Sequence, residues 1–259
     1  MTIFFTDILA GLRRYFLWSM LGWQDVARRY RRSMLGPLWI LITSSVMIGV
    51  MGPLYAYLFK IEMGVYVLYL ATSILSWQFL STSINEMPTT FQQASGFITD
   101  VNLPFSSYIF QMLWRNLIVY AHSLALILFI TLVTNPANLA FVPLFPLNLL
   151  LVLVNMMWVA FVLAILGTRY RDLSPIIGSL TQIAFFVTPI IWHPDMLGMA
   201  QWVNYINPFY HVIEMLRAPF MGQVPDTLSY VFLSVSAVVG MMLAALLFRR
   251  AAPRLAYWL

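Results

Sequence analysis

The chain has 259 residues, 61% of them apolar and only 9% charged, far below the ~25% charged residues of ordinary soluble domains. It contains no cysteine, which excludes disulfides, cysteine-based zinc sites and thiol catalysis. Its net charge of +5 comes from arginines placed in short intervals between long uncharged stretches, a pattern that suits a membrane surface better than nucleic acid.

No ionisable acid or base lies between Arg32 and Lys60, between Glu62 and Glu86, or between Asp226 and Arg249. His193 alone falls between Asp172 and Asp195, and His122 alone between Asn116 and Thr168. Each interval is long enough for a helix rising ~1.5 Å per residue to cross a ~30 Å hydrocarbon core, and the last is long enough for two. The pattern predicts an all-α membrane protein, a single domain over 1–259 with six transmembrane helices at 36–59, 64–86, 107–134, 141–167, 174–192 and 228–248. Six such spans leave no room for a soluble catalytic domain of ~100 residues.

The head segment, 3–22, is expected to be an amphipathic helix lying in the membrane interface. Phe4, Phe5, Ile8, Leu9, Leu12, Phe16, Leu17 and Met20 recur at helical spacing, with Asp7, Arg13 and Arg14 off that stripe. Trp18 and Trp23 are expected at headgroup level. A short extra span is the alternative, limited by those charges. A signal peptide is not expected, because Asp7 and Arg13–Arg14 interrupt the apolar run and no small-residue cleavage site follows. With the N-terminus inside, Arg13, Arg14, Arg28, Arg29, Arg31, Arg32, Arg169, Arg171, Arg249, Arg250 and Arg254 face the cytoplasm, against only Lys60 and Arg217 outside. The positive-inside rule then places both termini in the cytoplasm.

Two further segments do not fit a plain six-helix bundle. Residues 87–104, between spans two and three, are polar without being basic and bounded by Pro88 and Pro104. They read either as a short helix parallel to the membrane that seats on a soluble partner, or as an ordinary connection. Residues 193–226 form an external segment rich in aromatics, expected to fold as two short re-entrant helices broken at Asn207–Pro208. Spans three and four are divided by the turn Asn135–Pro136–Ala137–Asn138.

The chemistry is sparse. There is no phosphate-binding GxxxxGK[ST] loop and no HExxH, so the chain is not expected to be an enzyme or to hydrolyse ATP itself. His211 and Glu214 stand three apart, a spacing more typical of a polar helix face than of a metal site. His193–Pro194–Asp195 reads as a helix-end turn. Arg115 is expected to snorkel toward the interface rather than hold substrate. Spans this empty of ionisable groups disfavour proton or ion coupling, so energy for active transport must come from a partner.

At the approach to the first span, Arg29-Tyr30-Arg31-Arg32-Ser33 followed by Leu35-Gly36-Pro37-Leu38-Trp39 resembles the signature of the membrane subunits of ABC-2 type polysaccharide exporters. Gly167-Thr168-Arg169-Tyr170-Arg171-Asp172-Leu173 resembles that family's link between spans four and five. Thr188-Pro189-Ile190 and Asn207-Pro208-Phe209 fall where the family has them, and the RDL and TPI versions look more like O-antigen exporters than the group 2 capsule branch. Capsule and teichoic acid exporters share much of this pattern, and an ABC-2 drug or lipid permease would share the topology.

The resemblance implies a homodimer in the bacterial inner membrane, bound to two copies of a separate ABC ATPase that holds the ATP and magnesium. This chain itself would carry no cofactor or metal. The substrate implied is a lipid-linked polysaccharide, passing between protomers on undecaprenyl diphosphate. Segment 87–104 corresponds to the coupling helix, with Pro88, Phe91, Gln92 and Phe97 as contacts, joined by Arg169, Arg171 and Asp172. It lacks the lysines common there. A glycan path needs aromatic faces without deep charged wells, which points to Tyr55, Tyr57, Trp77, Trp192, Tyr205 and Tyr210. Any one of these also fits the interfacial aromatic belt. Arg28, Arg29, Arg31 and Arg32 fit a lipid diphosphate, and fit contact with anionic membrane lipids equally well.

Overall fold

The computed structural model describes residues 2–31, 36, 38–100 and 103–258, and among these every regular element is helical. In chain order the α-helices are α1 (Thr2–Arg13), α2 (Tyr15–Tyr30), α3 (Leu38–Phe59), α4 (Met63–Glu86), α5 (Thr90–Gln93), α6 (Ser95–Asp100), α7 (Phe105–Thr134), α8 (Phe145–Arg169), α9 (Leu173–Val187), α10 (Trp202–Ile206), α11 (Pro208–Arg217) and α12 (Thr227–Trp258). Short 3₁₀ turns cover Met87–Thr89, Pro136–Leu144, Pro194–Ala200 and Ala218–Met221.

Five helical stretches are long and apolar enough to cross a membrane: Leu41–Phe59, Met63–Gln93, Phe105–Thr134, Pro136–Arg169 and Thr227–Leu255. The fifth expected span is the exception. Helix α9 has 15 residues and ends at Val187, not at 192, so at ~1.5 Å per residue it falls short of the hydrocarbon thickness. Its early end has a local cause: Thr188 precedes Pro189, and a residue before proline is pushed out of the helical region. Thr188 is accordingly extended, at φ −90° and ψ 138°.

Helix α4 is the axis of the bundle. Every residue from Leu68 to Trp77 is buried, so this part of α4 is covered on all sides by neighbouring helices. Its hydroxyls are satisfied without solvent. Thr72 and Ser83 donate to the Leu68 and Phe79 carbonyls of their own helix, and Ser76 shares a 2.9 Å hydrogen bond with the Tyr120 hydroxyl of α7. Small hydroxyl residues of this kind let neighbouring helices approach closely. Helix α12 packs along α8, where Gly240 leaves room for the Trp158 ring.

The head segment is two helices rather than one, broken at Arg14 and continuing to Tyr30. Phe4 is buried among Phe161 and Phe248, while Phe5, Leu9, Leu12, Phe16 and Met20 remain exposed, the pattern of a helix with one face on protein and another on lipid. Trp18 is half-buried against the start of α7. It donates to the Gly11 carbonyl at 3.1 Å and packs on Phe110 and Trp114.

Asp7 fastens α1 to α7. Its carboxylate accepts from the backbone N–H groups of Phe105 (3.0 Å) and Ser106 (2.8 Å), and the Ser106 hydroxyl donates back to the Asp7 carbonyl (2.8 Å). The start of α7 follows Pro104, which has no capping side chain, so a neighbouring helix supplies the acceptor and the favourable negative charge.

Candidate functional site

Among the described residues, three polar assemblies bear on the expected site residues. Two lie at the end that carries both termini, and the third lies at the opposite end.

The first joins α2, α4 and α7. Arg115 donates to Asp25 at 3.3 Å and to Glu86 at 2.8 Å, and its side chain is only 14% exposed. Asp25 also accepts from Arg28 (2.6 Å) and Gln111 (2.7 Å), and Glu86 from Asn116 (2.9 Å), with Arg29 at 3.6 Å. Arg115 therefore does not snorkel. It is the centre of an ion-pair cluster, and the geometry is sound because each acid has several donors. Of the four arginines expected at a lipid diphosphate, Arg28 and Arg29 are thus engaged with acids of the chain. Arg31 is exposed, and Arg32 lies outside the described residues, as do Ser33, Leu35 and Pro37 of the signature.

The second assembly brings the expected coupling residues together. Gln92 donates to the Gly167 carbonyl at 2.6 Å, tying the 87–93 segment to the end of α8 that leads into Arg169–Asp172. Gly167 lies so close to the Pro88 backbone that a Cβ would meet the Pro88 carbonyl oxygen. Pro88 and Phe91 are buried, Phe91 packing on Phe105, so they anchor the segment from within. Phe97 has its backbone in α6, and its side chain lies outside the described residues. Arg169, Arg171 and Asp172 are exposed. The Arg169 guanidinium lies over the rings of Tyr170 and Trp258, at 5.3 and 5.4 Å, which brings the last turn of α12 to this surface.

The third assembly holds the backbone that follows α9. The Tyr66 hydroxyl donates to the Ile191 carbonyl (2.8 Å), and the Tyr69 hydroxyl bridges the carbonyls of Pro189 (2.8 Å) and Trp192 (2.9 Å). Arg217, expected as an external loop charge, is buried at 4% exposure. It donates to the Pro189 carbonyl (3.0 Å), Ser73 (3.2 Å) and Glu214 (2.6 Å), with its guanidinium 4.4 Å from the Tyr69 ring centroid. Non-helical backbone at membrane depth requires such partners, because no water is there to bond it.

The break at Asn207–Pro208 stands as expected. The Asn207 side chain accepts from the Phe209 N–H (2.9 Å) and donates to the Thr188 hydroxyl (3.0 Å). His211 is buried between Ser229 (2.9 Å) and the Tyr205 carbonyl (3.0 Å), and burial pushes its pKa below the ordinary value. With Glu214 committed to Arg217, the two do not form a metal site, and no cluster of metal-ligating side chains occurs among the described residues.

The expected glycan residues divide. Trp77 is wedged between Phe185 and Phe209, and Tyr210 is likewise buried, so neither offers a ring face at the protomer surface. Tyr57 is 89% exposed on α3 and Tyr205 is 42% exposed. Tyr55 and Trp192 are half-buried, Tyr55 packing on Phe59 and Trp192 donating to the Phe186 carbonyl. Beside them α3 and α9 carry uncovered apolar faces, with Val46, Val50 and Leu54 on one and Leu180, Ile183 and Phe186 on the other. An apolar cavity of about 750 Å³ opens between α9, α4, α8 and α12.

Sequence reasoning missed Asp7, Asp25, Glu86, Tyr66 and Tyr69. The available signal was polar or ionisable side chains at the ends of apolar runs, which in membrane proteins are seldom left unpaired.

Comparison with known proteins matches residues 17–221 to the family described as ABC-2 type transporter. The chain is 23% identical over 229 residues to the O-antigen export system permease protein RfbA of Myxococcus xanthus, covering 87% of this chain and 88% of that one. It is 24% identical over 226 residues to the protein of the same name from Klebsiella pneumoniae, covering 85% of each.

Proposed function

The chain belongs to the ABC-2 type transporter family, and on that premise we propose that it is the membrane subunit of an ATP-driven polysaccharide exporter, with O-antigen as the cargo class. The observation that carries this reading is similarity to O-antigen export permeases along most of both chains. In the proposed arrangement one domain spans the bacterial inner membrane six times, α9 and the backbone after it together forming the fifth crossing. The chain then lies with both termini in the cytoplasm. The arginine distribution supports that orientation.

The working unit is a homodimer with two copies of a separate ATPase, which brings its own ATP and magnesium. The protomers pair along α3 and α9 in this arrangement, beside Tyr55, Tyr57 and Trp192. A lipid-linked glycan then passes between protomers along Tyr55, Tyr57, Trp192 and Tyr205. Aromatic faces bind the C–H faces of sugars without trapping them in charge. Closure of the ATPase is transmitted through Arg169–Asp172 and the 87–93 segment, which move as one because Gln92 and Pro88 are fixed to Gly167.

Truncating Trp192 and Tyr205 together to alanine is expected to cut surface polysaccharide severalfold, while the chain still co-purifies with its ATPase. Immunoblotting of surface polysaccharide beside affinity purification reads both. Undiminished export in the double variant would contradict the path.

A further inference from the structure

Where α2, α5 and the first turns of α7 meet, the chain encloses a pocket of about 240 Å³. Its polar wall is Arg28 from α2, Thr90 and Gln93 from α5, and Tyr108, Gln111 and Arg115 from α7. Leu21 and Met112 give it an apolar side. Asp25 is the one acid on its lining, and it already accepts from Arg28, Gln111 and Arg115.

Two residues on this lining carry a buried donor without a partner among the described residues. Tyr108 is 5% exposed, and its hydroxyl has no hydrogen-bond partner among the described residues. The Nε–H of Arg115 is likewise buried without an acceptor, although both terminal nitrogens of the same guanidinium are engaged. A buried donor without a partner keeps its full desolvation cost, so native structures rarely leave two in one place unless something fills it.

Charge defines what that something is. Among the described residues on the lining, Arg28 and Arg115 face Asp25, two cations against one anion. The missing group is therefore an oxygen acceptor bearing negative charge. The pocket sits at the ends of α4 and α7, at the level where a span leaves the hydrocarbon and lipid head groups begin.

We propose that this pocket binds the phosphoryl head group of a membrane lipid, with Tyr108 and Arg115 donating to its oxygens. The lipid would be wedged between the interface helix α2 and the segment carrying α5, so its presence would set how α5 and α6 are held. The assignment rests on the unmet donors and does not depend on which cargo the protein moves.

Phosphatidylglycerol and undecaprenyl phosphate share the phosphoryl chemistry and are the two probes, with phosphatidylcholine as the zwitterionic control. Native mass spectrometry of the full chain with its ATPase counts the lipid retained after each is added. Tyr108→Phe removes the hydroxyl alone, and Arg115→Lys keeps the charge while removing the Nε donor. Each is expected to weaken retention of the bound lipid by about tenfold, as loss of a hydrogen bond to a charged group does. Loss confined to phosphatidylglycerol identifies a resident phospholipid, and loss confined to undecaprenyl phosphate identifies the carrier lipid. If wild type and both variants retain all three lipids equally, the pocket holds only water and the proposal fails.

Discussion

Arg217→Ala is expected to destabilise the protein by about 3–5 kcal/mol, the range for removing one partner of a buried ion pair, and to abolish export. Glu214 would keep its charge at 15% side-chain exposure with its cation gone. The Pro189 carbonyl would lose one of its two donors, and the Tyr69 ring its guanidinium. The non-helical stretch after α9 would then be held only by Tyr66 and Tyr69 of α4 and by Asn207 at Thr188. Thermal unfolding in detergent measures the loss. The double variant Arg217→Leu with Glu214→Leu discriminates the cause, because removing both charges leaves no unpaired ion. It is expected to recover much of the stability lost in the single variant. If the single and double variants are equally unstable, the ion pair is not what holds this region.

Gly167→Val is expected to uncouple the transporter. Even an alanine Cβ would fall on the Pro88 carbonyl oxygen, a backbone atom that cannot swing aside. The helix end must therefore separate from the 87–93 segment, which strains or breaks the Gln92 hydrogen bond as well. Overpacking of this kind costs about 1–3 kcal/mol, and here the cost falls on the joint between the two proposed coupling elements. Assembly with the ATPase and ATP hydrolysis are expected to persist while surface polysaccharide falls at least tenfold. Gly178→Ala in α9 is the control. No atom of the described residues lies within 4 Å of its Cβ position, and alanine favours a helix over glycine by up to about 1 kcal/mol. Normal export by Gly167→Val would mean that the two elements need not move together.

Much of this architecture was legible because charge and proline mark what hydrocarbon forbids. The uncharged intervals locate α3, α4, α7, α8 and α12, and Asn135–Pro136 and Asn207–Pro208 mark turns that stand where expected. The end of α9 was not legible from its apolar run, since Thr188 to Trp192 are as hydrophobic as the helix before them. What ends the helix is the proline at 189, and what stabilises the exposed carbonyls are side chains from α4 and α11, more than a hundred residues away for Tyr66 and Tyr69.

Partnering hid the charged residues in the same way. Arg217 counts as an external charge in sequence, and only the fold shows Glu214, Ser73 and Pro189 converging on it. Arg115 could be read as snorkelling because its acids come from α2 and α4, remote in the chain. Phe91 was expected as a coupling contact from the resemblance of segment 87–104 to a coupling helix, and the fold buries it as an aromatic anchor on Phe105. Composition offered a set of aromatic candidates, and burial alone separates Trp77 and Tyr210 from Tyr57 and Tyr205.

The most direct test of the proposed activity is translocation of a lipid-linked polysaccharide in proteoliposomes containing this chain and its ATPase. Protection of the glycan from an added glycosidase reports its movement. Movement is expected only with the ATPase and hydrolysable ATP present, and with or without a proton gradient, because the spans carry almost no ionisable groups that could relay an ion. Glycan movement by this chain alone under a proton gradient, or none with ATPase and ATP supplied, would contradict it.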